Sequence, residues 1–305
     1  MNSKLLTIFL FVSVCLIWGT TWFAMEVALN SIPPIFATAL RFLLAAPLLV
    51  VLAKILNQPL LFPKGKRRWL FIVALMYFAI PFTLMIFGEQ YISSGLASII
   101  FANMPVAVML MSGLFLSLRL AKHQILGLIT AVVSLCLILA NEMQMGSDDY
   151  LIGTVCLGVA VAMHAIMYVL VQKHCKGIEV LTYNALPSFI ASLFLFAVSA
   201  VSENVNVEAF TWDSMSAVVY LGFVASVGGI VAYFKLVQVS TPFQASICFL
   251  IFPVVALLIS SYINGEALSQ QSLLMMLPLL VGILLTKVPK GIFKRRSALK
   301  VVQNN

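Results

Sequence analysis

Apolar runs of about 20 residues recur along this chain from Leu5 to Lys287, and ten can be counted. At about 1.5 Å of rise per residue, a helix of that length crosses the ~30 Å hydrocarbon core of a bilayer. Lipid offers the backbone no hydrogen bonds, so a spanning segment must satisfy its own N–H and C=O groups. Continuous apolar runs of this length are therefore read as membrane helices. The fold class expected is an all-α polytopic membrane protein of ten transmembrane helices. They fall at 5–28, 35–56, 69–88, 95–118, 124–140, 151–172, 180–201, 215–239, 243–264 and 272–287.

Composition agrees. With 62% hydrophobic and 9% charged residues, the chain could not cover a soluble surface of this size. The connections at 30–34, 57–68, 89–94, 146–150, 173–177 and 202–213 carry the breakers and charges and are short. No room is left for a soluble catalytic domain. The first run stays apolar past Trp18 and Trp22 to Ala28 without a small-x-small cleavage site, so it is expected to be a retained helix rather than a signal peptide. The five cysteines, Cys15, Cys136, Cys156, Cys175 and Cys248, show no CxxC or Cys/His ligand spacing and read as buried apolar filler.

The net charge of +8 is explained by topology rather than by nucleic acid. Lys64, Lys66, Arg67 and Arg68 follow helix 2, Arg119 and Lys122 follow helix 4, and Lys173 and Lys176 follow helix 6. Lys290, Lys294, Arg295, Arg296 and Lys300 form a basic tail over 289–305. The alternate connections carry Glu26, Glu89, Glu142, Asp148, Asp149, Glu203, Glu208, Asp213 and Glu266 and no base. Retention of Lys and Arg on the cytoplasmic side then places both termini inside. Arg41 and Glu179 are the exceptions to the pattern.

Offsetting the sequence by about 148 residues lays helix 4 on helix 9. Ala97-Ser98-Ile99 meets Ala245-Ser246-Ile247, Phe101 meets Phe249, and Pro105-Val106 meets Pro253-Val254. The chain thus divides into five-helix repeats at 1–145 and 146–288. Five is odd, so the second repeat enters the membrane from the opposite side. Inverted repeats of this kind frame a midplane site and permit alternating access, which points to a transporter.

Several local patterns resemble the EamA-type drug/metabolite transporters. They are Leu16-Ile17-Trp18-Gly19-Thr20-Thr21-Trp22, Leu40-Arg41-Phe42, Ser93-Ser94-Gly95-Leu96-Ala97-Ser98 leading to Pro105, and Gly265-Glu266-Ala267-Leu268-Ser269. The resemblance covers 5–288 and implies a ten-helix exporter of small metabolites such as amino acids. It also implies a central cavity associated with helices 1, 3, 4, 6, 8 and 9. Arg119 near the place of a Gly-Glu turn, His164 where an aromatic is frequent, and Gly88-Glu89-Gln90-Tyr91 depart from the common pattern.

Polar groups inside membrane helices are expensive and mark candidate sites. Glu89 closes helix 3, as a substrate-amine contact, a proton-coupling carboxylate or an interfacial acid in water. Arg41 lies about two turns inside helix 2 and needs compensation, by Glu26, Glu89 or carbonyls, or else binds a substrate carboxylate. His164, in mid-helix 6, is a hydrogen-bond donor to substrate, a titrating group or a packing histidine. Lys235 reads as a side chain snorkelling to the headgroups. Trp18 and Trp22, four apart on one face, together with Tyr77, Phe82, Tyr168 and Tyr233, are candidates for an aromatic pocket. Pro105 and Pro253 are expected to kink helices 4 and 9 and to free the carbonyls of Phe101 and Phe249, with Asn103 adding a polar spot.

The expected partners are a small-molecule substrate and the lipid bilayer, with no cofactor, metal or nucleic acid. GxxxxGK[ST], HExxH and GxSxG are absent from the sequence, which argues against an ATP-driven pump and against a membrane enzyme. A multidrug or organic-cation pump, which calls for a deep carboxylate, and a non-transporting scaffold are the rival readings.

Overall fold

The computed structural model describes residues 3–117, 120–145, 149–240, 242–265 and 268–288. Arg119, Asp148, Glu266, Ala267 and the whole basic tail lie outside the described residues. Every regular element among the described residues is helical. Ten helices are long and apolar enough to cross a membrane. They are α1 (Lys4–Leu29), α2 (Pro34–Ile55), α3 (Arg68–Gly88), α4 (Ser94–Leu116), α5 (Lys122–Glu142), α6 (Tyr150–His174), α7 (Val180–Ser202), α8 (Trp212–Val239), α9 (Gln244–Asn264) and α10 (Gln270–Lys287).

The helix starts are built by local polar chemistry. The side chains of Ser93, Thr211 and Ser269 accept from the N–H groups of Leu96, Ser214 and Ser272 at the first turns of α4, α8 and α10. The Thr211 cap draws Trp212, Asp213 and Ser214 into α8, which the apolar pattern alone started at 215. At α2 the cap is tertiary. Glu203, just past α7, accepts from the N–H groups of Ile35 at 2.8 Å and Phe36 at 2.9 Å and from Ser199 Oγ at 2.7 Å.

Among the described residues, four of the ten helices are not continuous α-helix. Ala74–Ala79 in α3 and Leu221–Gly228 in α8 are π-helical. Pro81, two residues beyond the first of these segments, has no N–H to give the preceding turn. In α4 the helix breaks at Asn103, whose N–H bonds the Ile100 carbonyl at 3.2 Å instead of that of Ile99. The Asn103 side-chain amide takes over the Ile99 carbonyl at 3.0 Å. A backbone N–H at the same cap reaches the Phe101 carbonyl, which therefore is not left free as the proline pattern had suggested. Pro253 sits inside the α9 helix, where the break comes earlier, at Ile247.

The helices pack as a bundle in which α2 lies along α7, α5 along α10, and α4 along α9. Around them α1 packs on α8 and α9, α6 packs on α3 and α4, α8 packs on α2, and α3 packs on α7. Glycines set the closest approaches. A Cβ on Gly282 of α10 would stand 2.6 Å from Ala131 N and 2.8 Å from Gly127 O of α5. At the end of the bundle holding Leu29, Trp212 and Asn264, α1 is tied to its neighbours by Ser214 Oγ to the Val27 carbonyl (2.8 Å), by Ser31 to Thr211 (3.3 Å) and by Asn264 to Glu26.

Among the cysteines, Cys15, Cys175 and Cys248 are buried, but Cys136 is exposed on α5. The filler reading fails there because an apolar residue of a membrane helix can face lipid instead of protein. Lys235 is exposed, as a snorkelling side chain requires.

Candidate functional site

Arg41, buried on α2, is the charge around which the interior is arranged. Its Nε donates to Ser226 Oγ on the π segment of α8 at 2.9 Å, and Nη1 reaches Met25 Sδ on α1 at 3.6 Å. The guanidinium carbon stands 4.9 Å from the centroid of the Phe82 ring on α3, a cation–π arrangement, and 5.9 Å from that of Phe42. The expected pairing with a carboxylate is absent. Among the described residues Arg41 has no ion pair, although Glu89 is within electrostatic reach.

Phe82 links Arg41 to His164. The imidazole lies edge-on to Phe82 (5.1 Å), Tyr77 (4.9 Å) and Phe101 (5.8 Å). Its Nδ1 bonds the Ala160 carbonyl, one helical turn back, at 3.0 Å. That bond makes Nδ1 the donor, so in the neutral ring Nε2 is an acceptor, and no hydrogen-bond partner meets it. Phe101 in turn packs on Trp22 at 5.4 Å. Trp22, Arg41, Tyr77, Phe82 and His164 therefore converge, from α1, α2, α3 and α6.

Trp18 and Trp22 separate despite their four-residue spacing. Trp18 turns to a second aromatic group, Tyr233 (5.0 Å), Phe249 (5.3 Å) and Phe252 (6.1 Å), on α8 and α9. Lys287 Nζ stands 5.9 Å from the Phe249 ring at the outer side of this group. Tyr168 is one turn beyond His164 on the same face of α6 and is 55% exposed.

Glu89 is not an interfacial acid. It is buried at the C-terminus of α3, and neither carboxylate oxygen has a hydrogen-bond partner among the described residues. The amide oxygen of Asn103 is buried without a partner as well.

Sequence reading missed Ser226, Met25 and Phe42 as the surroundings of Arg41, and Phe101 as the ring joining Trp22 to His164. A hydroxyl in the middle of α8, opposite an uncompensated arginine, was the available signal for Ser226.

The EamA-like transporter family model matches residues 5–140 and again 151–288. Protein PagO of Salmonella typhimurium is 46% identical over 93% of this chain and 93% of its own length. An uncharacterized transporter of Buchnera aphidicola subsp. Schizaphis graminum is 41% identical, over 95% of this chain and 97% of its own. A solved crystal structure shares the fold with a TM-score of 0.66 at 15% identity, covering 92% of this chain and 97% of that one. With ten membrane-length helices and matches over nearly its whole length, the chain is a multi-pass membrane protein that belongs to the EamA-like transporter family.

Proposed function

We propose that the protein is a secondary-active exporter of small amphipathic metabolites, amino acids among them, working by alternating access between two inverted five-helix halves at 1–145 and 146–288. The observation that carries this reading is the convergence of Arg41 and Phe82 from the first half with His164 and Ser226 from the second, near mid-helix, at the seam between the halves. That is where inverted-repeat transporters hold their substrates.

Three further features support the inverted halves. Exchanging each helix for the one five places away turns the packing pattern into itself: α1 on α9 becomes α6 on α4, and α1 on α8 becomes α6 on α3. The family pattern is met twice, once in each half. The π segments at 74–79 and 221–228 overlap when the sequence is offset by 148 residues.

In this reading the spare N–H groups of Arg41 receive a carboxylate, and Trp22, Tyr77, Phe82, Phe101 and His164 enclose an apolar or flat body. Asn103 and Glu89 offer acceptors, and Trp18, Tyr168 and Tyr233 extend the aromatic lining of the path. The bonds of α1 to α8 and α9 at the acidic end close that face. The basic connections support a topology with both termini in the cytoplasm and the protein in the inner membrane of its cell. Asn103 with Pro105 in α4, and Ile247 in α9, supply breaks beside the path.

A multidrug or organic-cation pump is favoured by one observation, the buried carboxylate of Glu89 with both oxygens unbonded. Counterflow in proteoliposomes, with labelled amino acids and organic cations offered in parallel, tests the function. Accumulation of amino acids that is lost in Arg41→Gln supports the metabolite reading. Accumulation of cations alone replaces it with the second reading, and no counterflow of either class refutes transport of both.

A further inference from the structure

Buried opposite charges in a medium of low dielectric attract strongly, and a single unpaired buried ion is among the costliest features a protein can hold. Arg41 and Glu89 are both buried, and each is within electrostatic reach of the other. Yet Arg41 spends its donors on the Ser226 hydroxyl and the Met25 thioether and lays its face on Phe82, all neutral groups. Glu89 leaves both oxygens without a hydrogen-bond partner. A charged Glu89 would draw the nearest guanidinium into contact. A neutral one would not.

The groups facing Glu89 point the same way. Glu26 on α1 places a second acidic group within electrostatic reach. From α2 comes Arg41, itself within reach of His164 on α6. Where α6 packs on the last turn of α3 it presents Gly153, Cys156 and Leu157 to Gly88. A carboxyl in this setting is stabilised as the acid.

We infer that Glu89 carries a proton in the conformation seen here, and that release of this proton moves Arg41 from Ser226 on α8 to Glu89 on α3. The proton passes from the carboxyl oxygen to water, and the carboxylate left behind accepts from the guanidinium. Ser226 sits on the π segment of α8, so the exchange removes the polar tie between α2 and that segment. It thereby ties the protonation of one half to a helix of the other. The inference rests on the transport reading for its purpose, but not for its test.

Infrared difference spectroscopy of the reconstituted protein across pH reads the carboxylic-acid C=O stretch directly and needs no substrate. The wild type shows a buried-acid band at neutral pH that Glu89→Gln lacks completely. Arg41→Gln removes the cation that competes for the carboxylate, so the band persists into more alkaline solution than in the wild type. Ser226→Ala frees Arg41 and makes the band disappear at lower pH. These two variants also keep the test decisive where Glu89→Gln does not fold. A wild-type spectrum identical to that of Glu89→Gln overturns the inference, as does a band whose titration neither Arg41→Gln nor Ser226→Ala moves. Counterflow measured on the same samples separates this result from the transport reading: a failed counterflow leaves the infrared band readable, and a missing band leaves counterflow intact as evidence of transport.

Discussion

Replacing Glu203 tests whether a tertiary cap holds α2 in place. Pro33 and Pro34 open that helix, so the donors exposed at its start are those of Ile35 and Phe36. One carboxylate serves both, at 2.8 and 2.9 Å, while Ser199 Oγ steadies it at 2.7 Å. A hydrogen bond to a charged group contributes about 1.5–3 kcal/mol when buried. The site is half-buried, so the lower end applies, and loss of the two backbone bonds in Glu203→Ala costs about 3 kcal/mol. Glu203→Gln retains one carbonyl oxygen but loses the charge that favours a helix N-terminus, and its amide donors face backbone donors, which gives a cost of about 2 kcal/mol. At this chain length each kcal/mol lowers the unfolding midpoint by roughly 1.5–2 °C, so the alanine variant should melt about 5 °C below the wild type. Thermal unfolding in detergent, followed by intrinsic tryptophan fluorescence, measures the series. The reasoning is refuted if both variants melt with the wild type, or if the glutamine variant is the less stable of the two.

Ser31→Cys combined with Thr211→Cys places two thiols where hydroxyls now stand 3.3 Å apart, at the acidic end of α1 and α8. Oxidation should crosslink them and stop counterflow, and reductant should restore it; transport undiminished in the crosslinked protein would show that this end does not open. Gly282→Leu drives a side chain into the backbone of Ala131 and Gly127, which cannot yield, so it should lower stability by about 3 kcal/mol or more in the same melting assay. Gly158→Leu is the control, since a Cβ there meets nothing within 4 Å, and it should stay within about 0.5 kcal/mol of the wild type.

The ten helices were legible in the residues because lipid imposes one rule on every spanning segment: satisfy the backbone internally and present apolar side chains for about 20 residues. The edges at Leu29, Ile55, Gly88 and Ser202 fall within about two residues of the apolar pattern for the same reason. Arg41, Glu89 and His164 were legible as candidates because a polar group in such a run is conspicuous. The structure brings Trp22, Arg41, Tyr77, Phe82 and His164 together but sets Trp18 and Tyr233 in a second group, so the single aromatic pocket read from the sequence is divided.

The choice of partner was not legible. Hydropathy has no term for which helix faces which, so the sequence leaves Arg41 open to Glu26, Glu89, backbone carbonyls or a substrate carboxylate, and only the fold brings it Ser226, 185 positions away. Trp18 and Trp22 share a helix face in sequence, but α9 and α4 claim one each. The π segments were hidden because widening a turn changes backbone bonding without changing the apolar pattern. Glu203 read as one more acid in a loop, and only the packing of α7 along α2 turned it into a cap. The sequence determined how many helices there are and where they lie along the chain, since those follow from each segment's transfer into lipid. Only the tertiary structure decided which charges are left unpaired and which rings enclose them, since those follow from helix-to-helix contacts that no single segment contains.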